Sequence, residues 1–260
     1  MAPSLVYDEI IVGEFLSALH QDMRPNETGI VSLFARRKYW LDLSVSQKQL
    51  CRQLLRFPGV TEEDVKVREF ERVVKRVCTG EYVDESTELT IPADAMVAYA
   101  SLNPLCVVMG FADTQREVLM RASGLSHPSQ LHDVDKMLVA NIQRNVSRKV
   151  FMDIDVDSKE PKVLERVLDL FTSKVFAIIE TRGGYHVVMR MDDVTKKEHQ
   201  AIHDLRTETA YMKPNVHGEN VQDHVISVSR GNQVPLPGTM QGGFPVRLIW
   251  TNRAQLKPPL

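Results

Sequence analysis

Apolar residues recur at helical spacing over 7–21 ("YDEIIVGEFLSALHQ") and predict an amphipathic helix, ended by the breaker run "RPNETG". A β-branched and aromatic run, "IVSLFARRKYW", then predicts a strand. Helical spacing returns over 46–57 and over 61–78, the second opened by Thr61 as an N-cap with Asp64 three residues on. Residues 87–103 read as extended and end at "LNP"; 113–146 read as helix broken around "SGLSHPS". From 149 the rhythm shortens: strand 149–156, helix 160–171, strands 174–181 and 185–191, helix 195–212, and short strands near 224–229, 233–236 and 246–250. This pattern predicts an α+β protein with a mixed or antiparallel sheet flanked by helices. Its core falls in 147–260, and a mostly helical portion, 1–146, packs on it as an accessory layer.

One of these strands breaks the usual alternation of apolar and polar residues between core and water. In "FMDIDVD" the apolar Met152, Ile154 and Val156 share one strand face and the carboxylates Asp153, Asp155 and Asp157 the other. Like charges so close repel, and burial raises the pKa of at least one unless a cation lies between them. Either the acidic row faces water, as on an edge strand, or a divalent metal compensates it.

Two further stretches carry candidate chemistry. "VFAIIETRGGYHVVMRM" predicts a hairpin turning at Arg182-Gly183-Gly184, with the glycines supplying positive φ and His186 starting the return strand. A lone histidine on a strand is as a rule structural; here two glycines would also let a phosphate approach the backbone beside imidazole and guanidinium donors. In "QDHVISVSRGNQVPLPGTMQGGFPVRLIW", Asp223 begins an alternating segment that Arg230 closes, and "PLPGTMQGG" predicts a rigid turn between strands. Alone, that stretch reads equally as a surface hairpin.

Composition narrows the class. With 260 residues, 43% hydrophobic and 25% charged, the chain has enough material for a proper core. A net charge of −2 gives no global basic field, so any nucleic-acid contact must come from local patches. Cys51, Cys78 and Cys106 are far apart and form no C-x-x-C pair, which argues against a disulfide framework and a structural zinc site. No basic run precedes a long apolar one at "MAPSLVYDEIIV", and "MVAYASLNPLCVVMGFA" is broken by Asn103-Pro104. An intracellular protein that does not span a membrane is expected.

In chain order, a D-x-D on a strand, a Gly-rich hairpin with a histidine and an Asp ahead of an L-P-G turn resemble the archaeo-eukaryotic primase superfamily, over about 149–250. The resemblance implies an RRM-like catalytic core that acts as a template-dependent nucleotidyltransferase. It implies Asp153, Asp155 and Asp223 as catalytic ligands of two Mg²⁺ or Mn²⁺ ions, and Thr181, Arg182, Gly184, His186 and Arg230 as nucleotide-binding residues. Lys149 and the basic run 36–38 are further candidate contacts, and Asp157, at the strand end, is an outer residue. Partners implied are nucleoside triphosphates, a single-stranded or primed nucleic-acid template, and a helicase or other replication protein. The sequence departs from the family where Gln241 stands in place of a histidine after L-P-G-[ST]-x, and no zinc knuckle or P-loop is visible. Two other readings remain: an inactive primase-fold subunit that binds nucleic acid or a protein, and a sugar-nucleotide transferase, which leaves Asp223 and the L-P-G turn without a role.

Overall fold

A computed structural model describes residues 5–55, 63–124, 133–171, 174–214, 220–229 and 231–251. Among the described residues the chain is α+β, with six helices and antiparallel sheets. Its two largest sheets share the work of building the site.

The first sheet grows around β2 (Ile30–Arg36), which pairs antiparallel with β3 (Gln47–Leu54) on one side and β6 (Met96–Ser101) on the other. Strand alternation sends Val31, Leu33 and Ala35 of β2 and Ala98 and Ala100 of β6 into a core with Phe15, Leu16, Phe70 and Val73. Those last four belong to α1 (Glu9–His20) and α2 (Glu63–Cys78). Helix α1 starts where the Asp8 carboxylate accepts a hydrogen bond from the Ile11 amide at 3.0 Å. The opposite sheet face carries Ser32, Phe34 and Arg36 on β2 with Val97, Tyr99 and Ser101 on β6, and the Phe34 and Tyr99 rings meet edge to face at 5.6 Å.

Two expectations fail in this half. The described part of the expected helix 46–57, residues 46–55, is not helical: Leu50, Cys51, Leu54 and Leu55 mimic helical spacing, but 47–54 run as an edge strand whose backbone groups complete the open side of β2. Nor are the described residues of 1–146 mostly helical. Alongside α1, α2, α3 (Val107–Gly124) and α4 (Val134–Arg144) they supply β2, β3 and β6, which are the heart of a six-stranded sheet. The Thr61 cap and most of the break at "SGLSHPS" lie outside the described residues.

The second sheet follows the order β-α-β-β-α-β: β8 (Phe151–Val156), α5 (Pro161–Phe171), β9 (Val175–Glu180), β10 (Tyr185–Arg190), α6 (Lys196–Glu208) and β13 (Ile226–Val228). Its strands lie in the order β13-β8-β10-β9, the split β-α-β arrangement, and β17 (Arg247–Thr251) adds to the β9 edge. Met152, Ile154 and Val156 pack against Val167 and Phe171 of α5 and Ile202 and Leu205 of α6. Helix α6 opens with a full capping box between Thr195 and Glu198. It stops at Glu208, short of the expected 212, because residues 210–214 form β11 (Ala210–Pro214), paired with β12 (Asn220–His224).

Residues 233–245 return to the first sheet. Strands β14 (Gln233–Pro235) and β15 (Met240–Gln241) both pair with β6, end to end along one edge, and β16 (Phe244–Pro245) pairs with β15. The L-P-G-T turn between β14 and β15 is structural: Gly238 has φ +84°, and a Cβ there would strike the start of α1 at Asp8 and Val12. The sheets are locked together at Asn103. Its side-chain oxygen accepts from the Val150 and Phe151 amides, both at 2.7 Å, and its backbone exchanges hydrogen bonds with the Asn232 side chain at 2.8 and 3.0 Å. Among the described residues no helix is long and apolar enough to cross a membrane.

Candidate functional site

Strand β8 is an inner strand, between β13 and β10, and its acidic face is buried at Asp153 and opens toward water only at Asp157. Asp153 is 1% exposed and Asp155 partly exposed. His186 on β10 lies directly across from Asp155, and its ring turns back along the strand so that Nδ1 donates to Asp153 Oδ2 at 2.9 Å. Its Nε2 stands 3.7 Å from Asp155 Oδ1. The other oxygen of Asp153, Oδ1, is buried with no hydrogen-bond partner. An unsatisfied buried carboxylate oxygen is costly, and a bound cation would satisfy it.

The electrostatics follow from this crowding. Burial opposes a charged imidazole, but the Asp153 carboxylate, through charge and hydrogen bond, with Asp155 and Asp157 behind it, pushes the His186 pKa up to about 9. Burial, with the like charges of Asp157 and Asp153, overrides the pull of His186 and Lys38 and pushes Asp155 up to about 6. The first sheet looks onto the same spot. Burial pushes the Tyr99 hydroxyl up to about 12, and the Asp155 and Asp153 charges add to the effect against the pull of Arg36.

A cleft of about 1080 Å³ opens beside the pair on the β13 side. Asp153 and Asp155 line it together with Lys149, Arg206, Ser227 and Asn232. Its size is that of a small-molecule site.

The hairpin between β9 and β10 forms as expected, for a different reason. Neither Gly183 nor Gly184 has positive φ. Gly184 is needed because its Cα abuts the neighbouring strand: a Cβ would run into the Val156 carbonyl and the Ser158 amide. Thr181 is buried and closes the turn, its amide donating to the Gly184 carbonyl at 2.9 Å. Arg182 is exposed, donating from Nη1 to the Gly242 carbonyl at 2.8 Å. The Arg182 amide donates to Gln241 Oε1 at 3.1 Å, so Gln241 ties the hairpin to the first sheet. Gly242 and Gly243 have φ of 58° and 76°, and they, not Gly183-Gly184, make the tight turn that needs positive φ.

For the third expected ligand, Asp223, the backbone register alone is described. In the antiparallel register Val228, Ser227 and Ile226 pass Ile154, Asp155 and Val156, and the Val225 carbonyl accepts from the Asp157 amide at 2.8 Å. Asp223 therefore falls past the C-terminal end of β8, on β12 opposite Tyr211. Its side chain and all of Arg230 lie outside the described residues. Ser227 is what stands opposite Asp155. Among the described residues no group of three or more His, Cys, Asp or Glu is arranged as a metal site; Asp153 and Asp155 are the described carboxylates that line the cleft.

Sequence reasoning brought together Asp153, Asp155, His186, Thr181 and Gly184, and named Lys149. It missed Tyr99, Ser227 and the Asn103–Asn232 lock, whose one visible signal was the "LNP" that ends the extended run. No family model, curated protein or solved structure matches this chain.

Proposed function

We propose that the chain is a primase-polymerase-like nucleotidyltransferase whose nucleotide sits in the cleft beside Asp153 and Asp155. The observation that carries this reading is the buried, unpartnered Asp153 Oδ1 next to Asp155, on the face of β8 opposite the one that packs on α5 and α6. The D-x-D, hairpin histidine and L-P-G order supports it, as does the RRM-like strand order around the acidic strand.

Asp153 and Asp155 would hold Mg²⁺ or Mn²⁺, hard cations that take carboxylate oxygens together with substrate phosphates. Bound there, the ions would offset the charge that grows on the attacking and leaving oxygens of phosphoryl transfer. His186, charged at neutral pH, fixes the Asp153 carboxylate through Nδ1 and keeps Nε2 facing the site for a phosphate. Lys149 and Arg206 supply positive charge along the cleft wall for the triphosphate. Burial of Asp153 and most of the His186 ring pre-sets their orientation before the substrate arrives.

One observation favours the second reading, an inactive primase-fold subunit: Ser227 rather than a carboxylate stands opposite Asp155. Incubating the chain with a primed or unprimed single-stranded template, labelled NTPs or dNTPs, and Mn²⁺ or Mg²⁺ separates them. Incorporation that Asp155→Ala abolishes supports the enzyme. Nucleotide binding without incorporation under any of these conditions supports the inactive subunit.

A further inference from the structure

Helix α3 is turned inside out. Toward α4, the helix it packs on, it presents Gly110, Thr114 and Glu117. A Cβ on Gly110 would lie 2.4 Å from the Ile142 side chain, and the Asn141 side-chain amide donates to Thr114 Oγ1 at 3.1 Å and to Glu117 Oε2 at 3.3 Å. The large apolar side chains point the other way. Val108, Met109, Phe111, Leu119 and Met120 are each between 50% and 71% exposed, and among the described residues no other helix exposes more than one large apolar side chain. A helix with an apolar outer face is the kind that a partner covers.

At about 3.6 residues per turn, Val108, Ala112 and Leu119 form the centre of this face, with Met109 and Met120 on one flank and Phe111 on the other. Of the α3 residues on the face, none is a carboxylate and one is a cation, Arg116, which contacts Asp113 at the edge at 3.4 Å. The pattern reads nearly the same from either end. About a midpoint level with Thr114, Val108 and Met109 stand as far to one side as Leu119 and Met120 to the other, and Asp113 and Arg116 are opposite charges either side of it.

A second α3 running antiparallel across a two-fold axis at that midpoint sets Val108 beside the partner's Leu119 and Met109 beside the partner's Met120. It also brings Arg116 to the partner's Asp113, which offsets the approach of the two Arg116 cations. Ala112, small and near the axis, lets the helices come close. The five apolar side chains expose on the order of 500 Å² per copy, so pairing removes on the order of 1,000 Å² from water, the size at which an interface becomes a biological one.

We propose that this face is the interface of a two-fold symmetric dimer of the chain, built on antiparallel α3 helices. An isologous contact requires a self-complementary patch, and the reversible order of this one supplies it; an unrelated protein would require no such order. The inference does not rest on the nucleotidyltransferase reading, because association is measured without metal, nucleotide or nucleic acid.

Sedimentation velocity of the full chain over about 1 to 100 μM tests it, and the parent should reach the mass of two chains within that range. Leu119→Glu and Val108→Glu each put a carboxylate at the centre of the face and should each raise the dimer dissociation constant at least about a hundred-fold. Both positions are exposed in the single chain, so the far-UV circular dichroism of these variants should match the parent's. Leu170→Glu, at an exposed position on α5, should dimerise like the parent. Oxidative cross-linking fixes the direction of the helices. Gln115→Cys, near the axis, should form a disulfide-linked dimer above the parent's background, whereas Ser123→Cys, roughly 25 Å from its copy along an antiparallel pair, should not. The proposal is overturned if the parent stays monomeric over the whole range, if the two glutamate variants dimerise like the parent, or if Ser123→Cys links and Gln115→Cys does not.

Discussion

The imidazole of His186 grips one oxygen of Asp153 at 2.9 Å and leaves the other buried without a partner. The histidine is thus both a structural clamp and a source of charge beside the carboxylates. Losing it should cost stability as well as ligand affinity. We expect His186→Ala to destabilise the chain by about 1.5–3 kcal/mol, the worth of a hydrogen bond to a charged group, while His186→Gln, which can still donate, recovers part of it. Urea unfolding of the two variants measures this, and equal losses would show that the hydrogen bond contributes nothing.

The same pair sets a pH dependence. An unfolded histidine titrates near about 6.5, whereas His186 in the fold titrates at about 9. Its pKa is raised by folding, so its contribution is complete below about pH 6.5 and is lost as pH rises through 9. Denaturant midpoints measured from pH 6 to 10 should fall across that window in the parent chain and fall less in His186→Gln.

Histidine also shapes the acid side. His20 is buried in α1, with Nδ1 2.9 Å from the Leu16 carbonyl oxygen, and burial lowers its pKa to about 4. The sign is opposite: stability is complete above about pH 6.5 and is lost as pH falls toward 4. His20→Leu should flatten that part of the stability profile, whatever it does to the absolute value.

Neighbouring glycines in the hairpin should respond in opposite ways. Gly184→Ala would drive a methyl group into the β8 backbone at Val156 and should cost about 1–3 kcal/mol or more. At Gly183 the nearest atom to a new Cβ is 3.8 Å away and φ is not positive, so Gly183→Ala should be neutral or stabilise by up to about 1 kcal/mol. Melting curves of the two single variants check the contrast.

Much of the second sheet is legible in the sequence because its signals are local. The strict alternation of "FMDIDV" and the glycine pair at 183–184 each fix one element within a few residues. The 46–55 segment is not legible in this way, because its conformation is decided by pairing with the open edge of β2 and not by its own spacing. The same limit applies at the site. The register that puts Ser227 opposite Asp155 is set by backbone pairing, which leaves no mark at either residue. Likewise, only the fold brings Tyr99 of the first sheet to the carboxylates.

The central claim is that Asp153 and Asp155 form a divalent-cation site. A crystal soaked with Mn²⁺ and a non-hydrolysable nucleotide, measured for anomalous scattering, tests it most directly. The account predicts a manganese peak bound by Asp153 Oδ1 and a carboxylate oxygen of Asp155, with nucleotide phosphate completing its shell. A fully occupied nucleotide whose manganese touches neither carboxylate would contradict it.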